Sequence, residues 1–420
     1  MRLSFKLLNI IFLNAVFVLS AVISFAQTKN TLDYFLSEAE KNSPVLNDYN
    51  NQVLSGKIDS LKLRSTYGFI VSGEGNASYA PTISGWGYDN ALSNGQSVFA
   101  GVRVAKEFIS RNNLNTRLGG YNASIAQALA QAGITKQTLR KQVADQYITT
   151  YSSQQQLQVA REIISLLNEE DKVLKKITQA GVFKQTDYLS FKVTLQQNQL
   201  SLQQRIAEWR NNYALLNYLS GIVDTTFQAL EPPAFNVLDA TPFNESVYAA
   251  SFKADSMKIA NDAAVINYDY KPKINAYSDA GYQSSFVYNA YKNFGASIGI
   301  AVSLPLYDGH KKNMLLRQNN LAMQTRQKYV DQTHRQYEQQ KLQINDQMEQ
   351  YSGMIKTANQ QMVYAKTLIE ANAKQLPTGD VRMVDFILSI NNLLSLKSNI
   401  IQYTTMMFNL QNQLQYIIVQ

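Results

Sequence analysis

Few residues of this chain could carry out chemistry. None of its 420 residues is a cysteine, which excludes disulfides, thiolate metal sites, cysteine nucleophiles and a lipid-anchored cysteine. The two histidines are predicted at a strand end (His310) and on a polar helix face (His334), and not as metal ligands. Asp59 and Asp255 could pair as catalytic carboxylates, but each lies near lysines and is expected on a solvated helix face. The sequence therefore predicts no enzyme, no cofactor and no metal site.

The composition narrows the class of protein. Hydrophobic residues make up 45% and charged residues 17% of the chain, and the mean hydropathy is −0.24. These values argue against a disordered chain and against a bundle of transmembrane helices. The formal net charge of +8 is spread among Gln and Asn without a dense basic patch, so nucleic acid is not an expected partner.

Residues 1–26 have the pattern of a cleaved signal peptide. Arg2 and Lys6 precede an apolar run over 7–25, and the small residues required before a cleavage site end at Ala26. The run is nearly long enough for an N-terminal membrane anchor, which is the alternative. No later segment approaches ~18 consecutive apolar residues. We expect an exported protein that is periplasmic, secreted or a β-barrel of an outer membrane.

The chain contains two copies of one pattern. Residues 181–189 match residues 379–387 at an offset of 198, and several other short matches share or nearly share that offset. We therefore predict a tandem duplication with a first repeat over 27–221, a linker over 222–245 and a second repeat over 246–420. Each repeat is predicted to run in the order helix, two strands, very long helix, long helix.

Long helices dominate the prediction. The segment from 134 to 180 has no Gly or Pro, and a helix over 111–180 would extend about 105 Å at ~1.5 Å per residue. Gly119, Gly120 and Gly133 are expected to kink or break it. In the last helix, apolar residues recur every seven positions, which is the spacing of helices packed side by side as coiled coils. These residues are Phe386, Leu393, Ile400, Met407 and Leu414.

Four strands are predicted, over 70–79, 98–108, 273–282 and 297–306. Their lengths approach the ~9–11 residues that cross an outer membrane. Four strands cannot close a barrel, because about eight is the smallest size, and an open edge cannot face lipid. A barrel must therefore be shared between chains, and three copies would supply twelve strands. The aromatic residues predicted to form a membrane girdle are Tyr79, Trp86, Tyr88, Tyr282 and Tyr288.

The segment 299–312, Gly-Ile-Ala-Val-Ser-Leu-Pro-Leu-Tyr-Asp-Gly-His-Lys-Lys, resembles the strand-to-helix motif of the outer-membrane efflux protein family, the TolC-like channels. The turns at 181–189 and 379–387 are similar to the helix-turn-helix tips of that family. The resemblance covers essentially the whole mature chain. It implies a mainly α fold with a small β part. In that fold, long antiparallel coiled-coil helices form an α-barrel, and four strands per chain contribute to a 12-stranded transmembrane β-barrel in a trimer.

The resemblance also implies a function and site residues. The function is a passive duct in the outer membrane and periplasm, docked on a periplasmic adaptor and an inner-membrane pump. Asp385 matches the aspartate of the periplasmic gate, although Leu388 replaces a second aspartate. Asp380 and Arg382 complete the candidate gate: Asp380 follows the tip glycine, where some members of the family have a basic residue, and Arg382 is displaced from that position. The implied adaptor-docking residues at the tips are Gly181, Thr186, Asp187, Gly379, Val384 and Phe386.

Each of these residues also has a purely structural interpretation. Asp187 and Asp385 could favour the N-terminal region of the helix that follows each turn. Tyr188 and Phe386 are interpreted as packing residues between helices. For the whole chain, the alternative function is that of a periplasmic coiled-coil scaffold or adaptor, although no Gly- and Val-rich block of the adaptor type separates the helices.

Overall fold

The computed structural model describes residues 30–81, 83–88, 95–224, 226–235, 241–285 and 292–418. The predicted signal peptide 1–26 and the predicted girdle residue Tyr288 lie outside these ranges. The helices are α1 (Leu32–Asn42), α2 (Pro44–Thr66), α3 (Arg111–Gln179), α4 (Gln185–Leu219), α5 (Val247–Asp269), α6 (Lys311–Gln375) and α7 (Met383–Gln415). The strands are β1 (Ile70–Tyr79), β2 (Gln96–Phe108), β3 (Lys273–Ser284) and β4 (Phe294–Ser303).

The long helices form as predicted, and α3 is one continuous helix of 69 residues. The expectation that glycines break it is wrong, because Gly119 and Gly133 lie inside the helix where α5 approaches closely. A Cβ on Gly119 would lie 2.6 Å from Asn261 Oδ1, and one on Gly133 would lie 3.3 Å from Val247 Cγ1. These glycines therefore make room for a neighbouring helix.

The predicted element order recurs in both halves, with one difference. The first half begins with two helices, α1 and α2. Pro44 has no backbone N–H to donate to an α1 carbonyl, and it instead starts a new helix. The last strand also differs from its prediction over 297–306. It ends at Ser303, ahead of Pro305, which has no N–H to donate to a sheet.

The four strands form one antiparallel sheet in the order β1-β2-β3-β4. All four strands join helices at the same end of the sheet, and the strand-to-strand connections lie at the other end. Because side chains alternate along each strand, the register places polar and apolar residues on opposite faces. Val102 lies opposite Ala280, and Ile300 opposite Ala276, on one face; Arg103 lies opposite Asp279 on the other.

The chain divides into two compact units. The first comprises Met1–Pro44, Thr135–Thr241 and Gln336–Gln420, and the second comprises Val45–Ile134 and Pro242–Arg335. The sheet belongs to the second unit. Each unit draws residues from both predicted repeats. Among the described residues, no helix combines the length and the hydropathy that a membrane-spanning helix requires.

Two hydrophobic clusters hold the first unit together. One packs α1 against α3 and α4 around Phe35 and Tyr147, which are both buried. The Tyr147 hydroxyl lies 2.7 Å from the carbonyl oxygen of Asn30 and 2.8 Å from that of Glu231, which ties the segment after α4 to this cluster. Burial raises the pKa of the Tyr147 phenol. The second cluster lies beneath the α3–α4 and α6–α7 turns.

Candidate functional site

Two turns end the long helix pairs of the first unit, and we call them the tips. The first tip joins α3 to α4 through Gly181, and the second joins α6 to α7 through Gly379. Both glycines are left-handed, with φ of +82° and +79°, a conformation that costs residues with a Cβ. A Cβ on Gly379 would lie 3.3 Å from Val182 Cγ1, so the two tips adjoin. The sequence match between 181–189 and 379–387 thus corresponds to two neighbouring turns.

A hydrophobic cluster, here called the tip cluster, lies directly behind both tips. Phe191 and Phe386 are fully buried in it. The Phe386 result confirms the packing interpretation and corrects the docking expectation for this residue, because its side chain is enclosed by its own chain. The other buried members are Ile163, Leu167, Leu174, Leu195, Ile369, Leu376, Met383, Ile390 and Leu393.

The remaining docking candidates lie at the surface of the tips. Thr186 and Val384 are exposed, and Asp187 is half-buried. Three exposed apolar side chains, which the sequence reasoning missed, accompany them. They are Val182, Leu189 and Leu388. The exposure of Leu388 could have been predicted from the sequence. Leu388 lies one helical turn after Val384, on the same face of α7, and the apolar residues that are buried lie on the opposite face.

The predicted gate residues Arg382 and Asp385 form an ion pair within the second tip. Arg382 donates from Nε to Asp385 Oδ2 at 2.8 Å and from Nη2 to Asp385 Oδ1 at 3.0 Å. Arg382 is the N-cap residue of α7, and Asp385 is the third residue of that helix. Hydrogen bonds from the guanidinium lower the pKa of the Asp385 carboxyl and raise that of Arg382. Both side chains face solvent, so the pair is a weak stabiliser.

The third gate candidate, Asp380, lies apart from this pair. Its Oδ2 atom is 2.6 Å from the hydroxyl of Thr378, within the turn itself. At the first tip, Lys184 and Asp187 occupy the positions equivalent to Arg382 and Asp385, and no ion pair joins those two described residues. The structure therefore brings two of the three predicted gate residues together, at one tip only.

The apolar face of the sheet is exposed. Ile298 is 87% and Ile300 is 73% exposed, and Val71, Val102 and Val302 share their face and are also exposed. Aromatic residues stand at the end of the sheet where the strand connections lie. Tyr79, Trp86, Tyr88 and Tyr282 are all exposed there, and Tyr282 and Phe294 meet with ring centroids 5.5 Å apart.

The side chains that could take part in catalysis or metal binding do not cluster. His334 is exposed and stacks on Phe243 with centroids 4.7 Å apart. The expectation of a solvated face is wrong for Asp255, which pairs with Arg326 at 2.9 Å and accepts a hydrogen bond from Gln127 at 2.6 Å. Within the described ranges, no three His, Asp or Glu side chains stand close enough to hold a metal ion.

Solved structures share this architecture over almost the entire chain. Three of them are VceC, an outer membrane protein of Vibrio cholerae, the outer-membrane channel OprN, and the outer membrane channel CmeC of Campylobacter jejuni. Their TM-scores are 0.73, 0.73 and 0.71 at identities of 14%, 13% and 11%. The alignments cover 91%, 92% and 92% of this chain and 94%, 89% and 85% of those chains. This chain has the fold of the outer-membrane channels.

The resemblance to TolC-like proteins is thus confirmed for the fold. At identities this low, the likeness is one of architecture. No protein-family model and no curated protein sequence matches the chain.

Proposed function

We propose that this chain forms an outer-membrane channel of a tripartite efflux or export system. Three copies would build a passive duct through the outer membrane and periplasm, docked on a periplasmic adaptor and an inner-membrane pump. The observation that carries the proposal is the sheet, which has an exposed apolar face and two edge strands, β1 and β4. An exposed apolar surface of this extent suits lipid.

The edge strands require a partner if the sheet lies in a membrane. Lipid offers no hydrogen bonds, so unpaired backbone groups along β1 and β4 would each cost several kcal/mol. Pairing β4 of one copy with β1 of the next removes both edges. Three copies give twelve strands, which is within the size range of outer-membrane barrels.

Two helices next to those edges also carry exposed apolar stripes. Helix α2, which precedes β1, has no buried residue, and its Leu54, Ile58 and Leu61 are exposed at helical spacing. Helix α6, which follows β4, has exposed apolar residues separated by multiples of seven. They are Met314, Leu321, Leu342 and Val363. A neighbouring copy that pairs with the sheet edges would also cover these stripes, which supports the closed homotrimer.

The tips are the proposed contact with the adaptor and the proposed periplasmic mouth. Exposed Thr186 and Val384, together with Asp187 and the turns at Gly181 and Gly379, form the docking surface. Asp385 and Arg382, with Asp380 nearby, form the gate. The likeness of fold to VceC, OprN and CmeC supports a channel, and outer-membrane lipid is the proposed surrounding of the sheet.

Disulfide cross-linking tests the closed trimer. Because the sequence has no native cysteine, only the introduced cysteines can form disulfides. Within one chain, β1 and β4 are three strand spacings apart, about 14 Å, which exceeds the ~7 Å that a disulfide spans. Asn76→Cys in β1 is combined in turn with Ser297→Cys, Ala301→Cys or Ser303→Cys in β4. At least one pair should form dimers and trimers on oxidation, and nothing larger.

The matched control uses residues that face each other within one chain. Ser78 in β1 lies opposite Ser97 in β2, so Ser78→Cys with Ser97→Cys should oxidise without forming a larger species. Monomers for every β1–β4 pair, or ladders beyond three copies, would contradict the proposal. A protein that stays monomeric and soluble without detergent would favour the periplasmic scaffold instead.

A further inference from the structure

A row of charged side chains crosses the polar face of the sheet. Ser72, Arg103, Asp279 and Ser297 lie directly opposite one another on the four strands. Arg103 contacts Glu74 Oε2 through Nη1 at 3.0 Å and Asp279 Oδ2 through Nη2 at 3.5 Å. The Ser297 hydroxyl donates to Asp279 Oδ1 at 2.9 Å. We call Glu74, Arg103 and Asp279 the strand triad.

The surroundings of the triad hold it in place. The Arg103 guanidinium lies 5.3 Å from the ring centroid of Tyr277, within the range of a cation–π contact. The Tyr277 ring in turn covers Gly299, where a Cβ would lie 2.5 Å from the tyrosine oxygen. A glycine at this position of β4 is therefore required for the ring to lie flat across the sheet. The guanidinium is fixed between two carboxylates and an aromatic ring.

The charges of the strands are unequally divided between the two faces. By alternation, the polar face carries Glu74, Arg103, Glu107, Lys273 and Asp279, three acidic and two basic side chains. The apolar face carries only Lys106, which lies 4.5 Å from the ring centroid of Phe69. Each chain thus contributes a net charge of −1 to the polar face. The triad supplies that imbalance, since Glu107 and Lys273 offset each other.

We propose that the strand triad forms a cation-selective ring inside the barrel, separate from the gate at the tips. This inference rests on the proposed function, in which the apolar face meets lipid and the polar face lines the water-filled lumen. Three copies would place a net charge of −3 around one level of the lumen. Rings of carboxylates favour cations in pores, so the ligands of this site are small monovalent cations and solutes that bear an amine.

Reversal potentials in a KCl gradient test the proposal. At ~0.1 M salt, where charges act over about 10 Å, Arg103→Gln should raise the ratio of K⁺ to Cl⁻ permeability by about twofold or more. The matched control is Lys106→Gln, which removes the same charge three residues away on the lipid-facing side and should leave the ratio unchanged. Arg103→Lys retains the charge and should keep the ratio of the wild type.

Replacing either carboxylate of the triad should have the opposite effect on the permeability ratio. Glu74→Gln and Asp279→Asn should each lower the cation preference, and the double variant Glu74→Gln/Arg103→Gln, with its unchanged net charge, should return to the value of the wild type. Equal permeability ratios in the wild type, Arg103→Gln and Glu74→Gln, in channels that conduct normally, would overturn the selectivity ring and leave the channel proposal standing. A wild-type protein without any conductance would overturn both.

Discussion

Arg382 donates two hydrogen bonds to Asp385 at the first turn of α7, from Nε to Oδ2 at 2.8 Å and from Nη2 to Oδ1 at 3.0 Å. The family resemblance implied that Asp385 is the gate carboxylate, with Arg382 displaced from the position after the tip glycine where some members have a basic residue. The structure instead neutralises this carboxylate with an arginine from the same turn. At the proposed periplasmic mouth, each copy would therefore present an ion pair in place of a bare negative charge.

Releasing Asp385 should strengthen the binding of multivalent cations at the mouth. In Arg382→Gln, the concentration of a trivalent cation that half-blocks the channel should fall by about twofold or more, while in Asp385→Ala it should rise. Arg382→Lys keeps the charge and serves as the control. Identical block in Arg382→Gln, Asp385→Ala and the wild type would leave Asp385 as a helix-end residue only.

The same pair predicts a pH dependence with a definite sign. Arg382 lowers the pKa of Asp385, so the carboxylate stays ionised as the pH falls below the usual range of aspartate, and the pair is lost only as the pH falls through this lowered value. In Arg382→Gln, the carboxylate should take up its proton at higher pH. Carbon NMR of the Asp385 carboxyl measures the midpoint. An unshifted midpoint would show that the two side chains do not pair in solution.

The left-handed turn at the second tip should not tolerate a Cβ. Gly379→Ala is expected to lower the free energy of local opening by about 1–2 kcal/mol, because φ is +79° there. Gly353, in the middle of α6, has open space where its Cβ would be, so Gly353→Ala should stabilise the helix by about 0.5–1 kcal/mol. Amide hydrogen exchange measures both. Changes of the same sign would refute the assigned conformations.

The tip cluster should depend on Phe386. Phe386→Ala removes a fully buried ring and is expected to cost about 3–5 kcal/mol. Val384, two residues earlier, is 56% exposed, and Val384→Ala should change stability by less than ~0.5 kcal/mol. Hydrogen exchange of α3 and α7 near the tips compares the two variants. If Val384→Ala were the more damaging, the assignment of buried and exposed faces of α7 would be wrong.

The Tyr147 hydroxyl should matter although it lies far along the chain from both tips. Tyr147→Phe removes the hydroxyl that contacts the carbonyl oxygens of Asn30 and Glu231 and should cost about 0.5–1.5 kcal/mol. Tyr218→Phe changes an exposed hydroxyl and should be neutral. Protease sensitivity of the segment 226–235 provides the readout. Equal sensitivity in both variants would contradict the role of Tyr147 in holding that segment.

The elements with a strong repeating pattern were predictable from the sequence. Phe386, Leu393 and Leu414 are separated by multiples of seven residues, and all three are buried on α7. The four strands of the sheet were predicted from the alternation of apolar residues and from the lengths of the segments. Such periodic patterns reflect which face of an element is covered, and this information is local in the chain.

Contacts between distant segments were not predictable in the same way. Asp255 was assigned to a solvated face because its neighbours in sequence are lysines, but Arg326 and Gln127 reach it from two other helices. Gly119 was expected to kink or break α3, yet it lies inside the continuous helix and makes room for Asn261 of α5. The strand triad likewise joins Glu74, Arg103 and Asp279 from three strands, and only the register of the sheet places them side by side.

Copies of this chain are proposed to close into a conducting duct, and single-channel recording in a planar lipid bilayer tests this duct most directly. Protein purified in detergent should insert and give discrete, reproducible conductance steps, with a current proportional to voltage near zero as expected for a passive water-filled pore. Protein that incorporates into the membrane and leaves the conductance at the level of bare lipid would contradict the account.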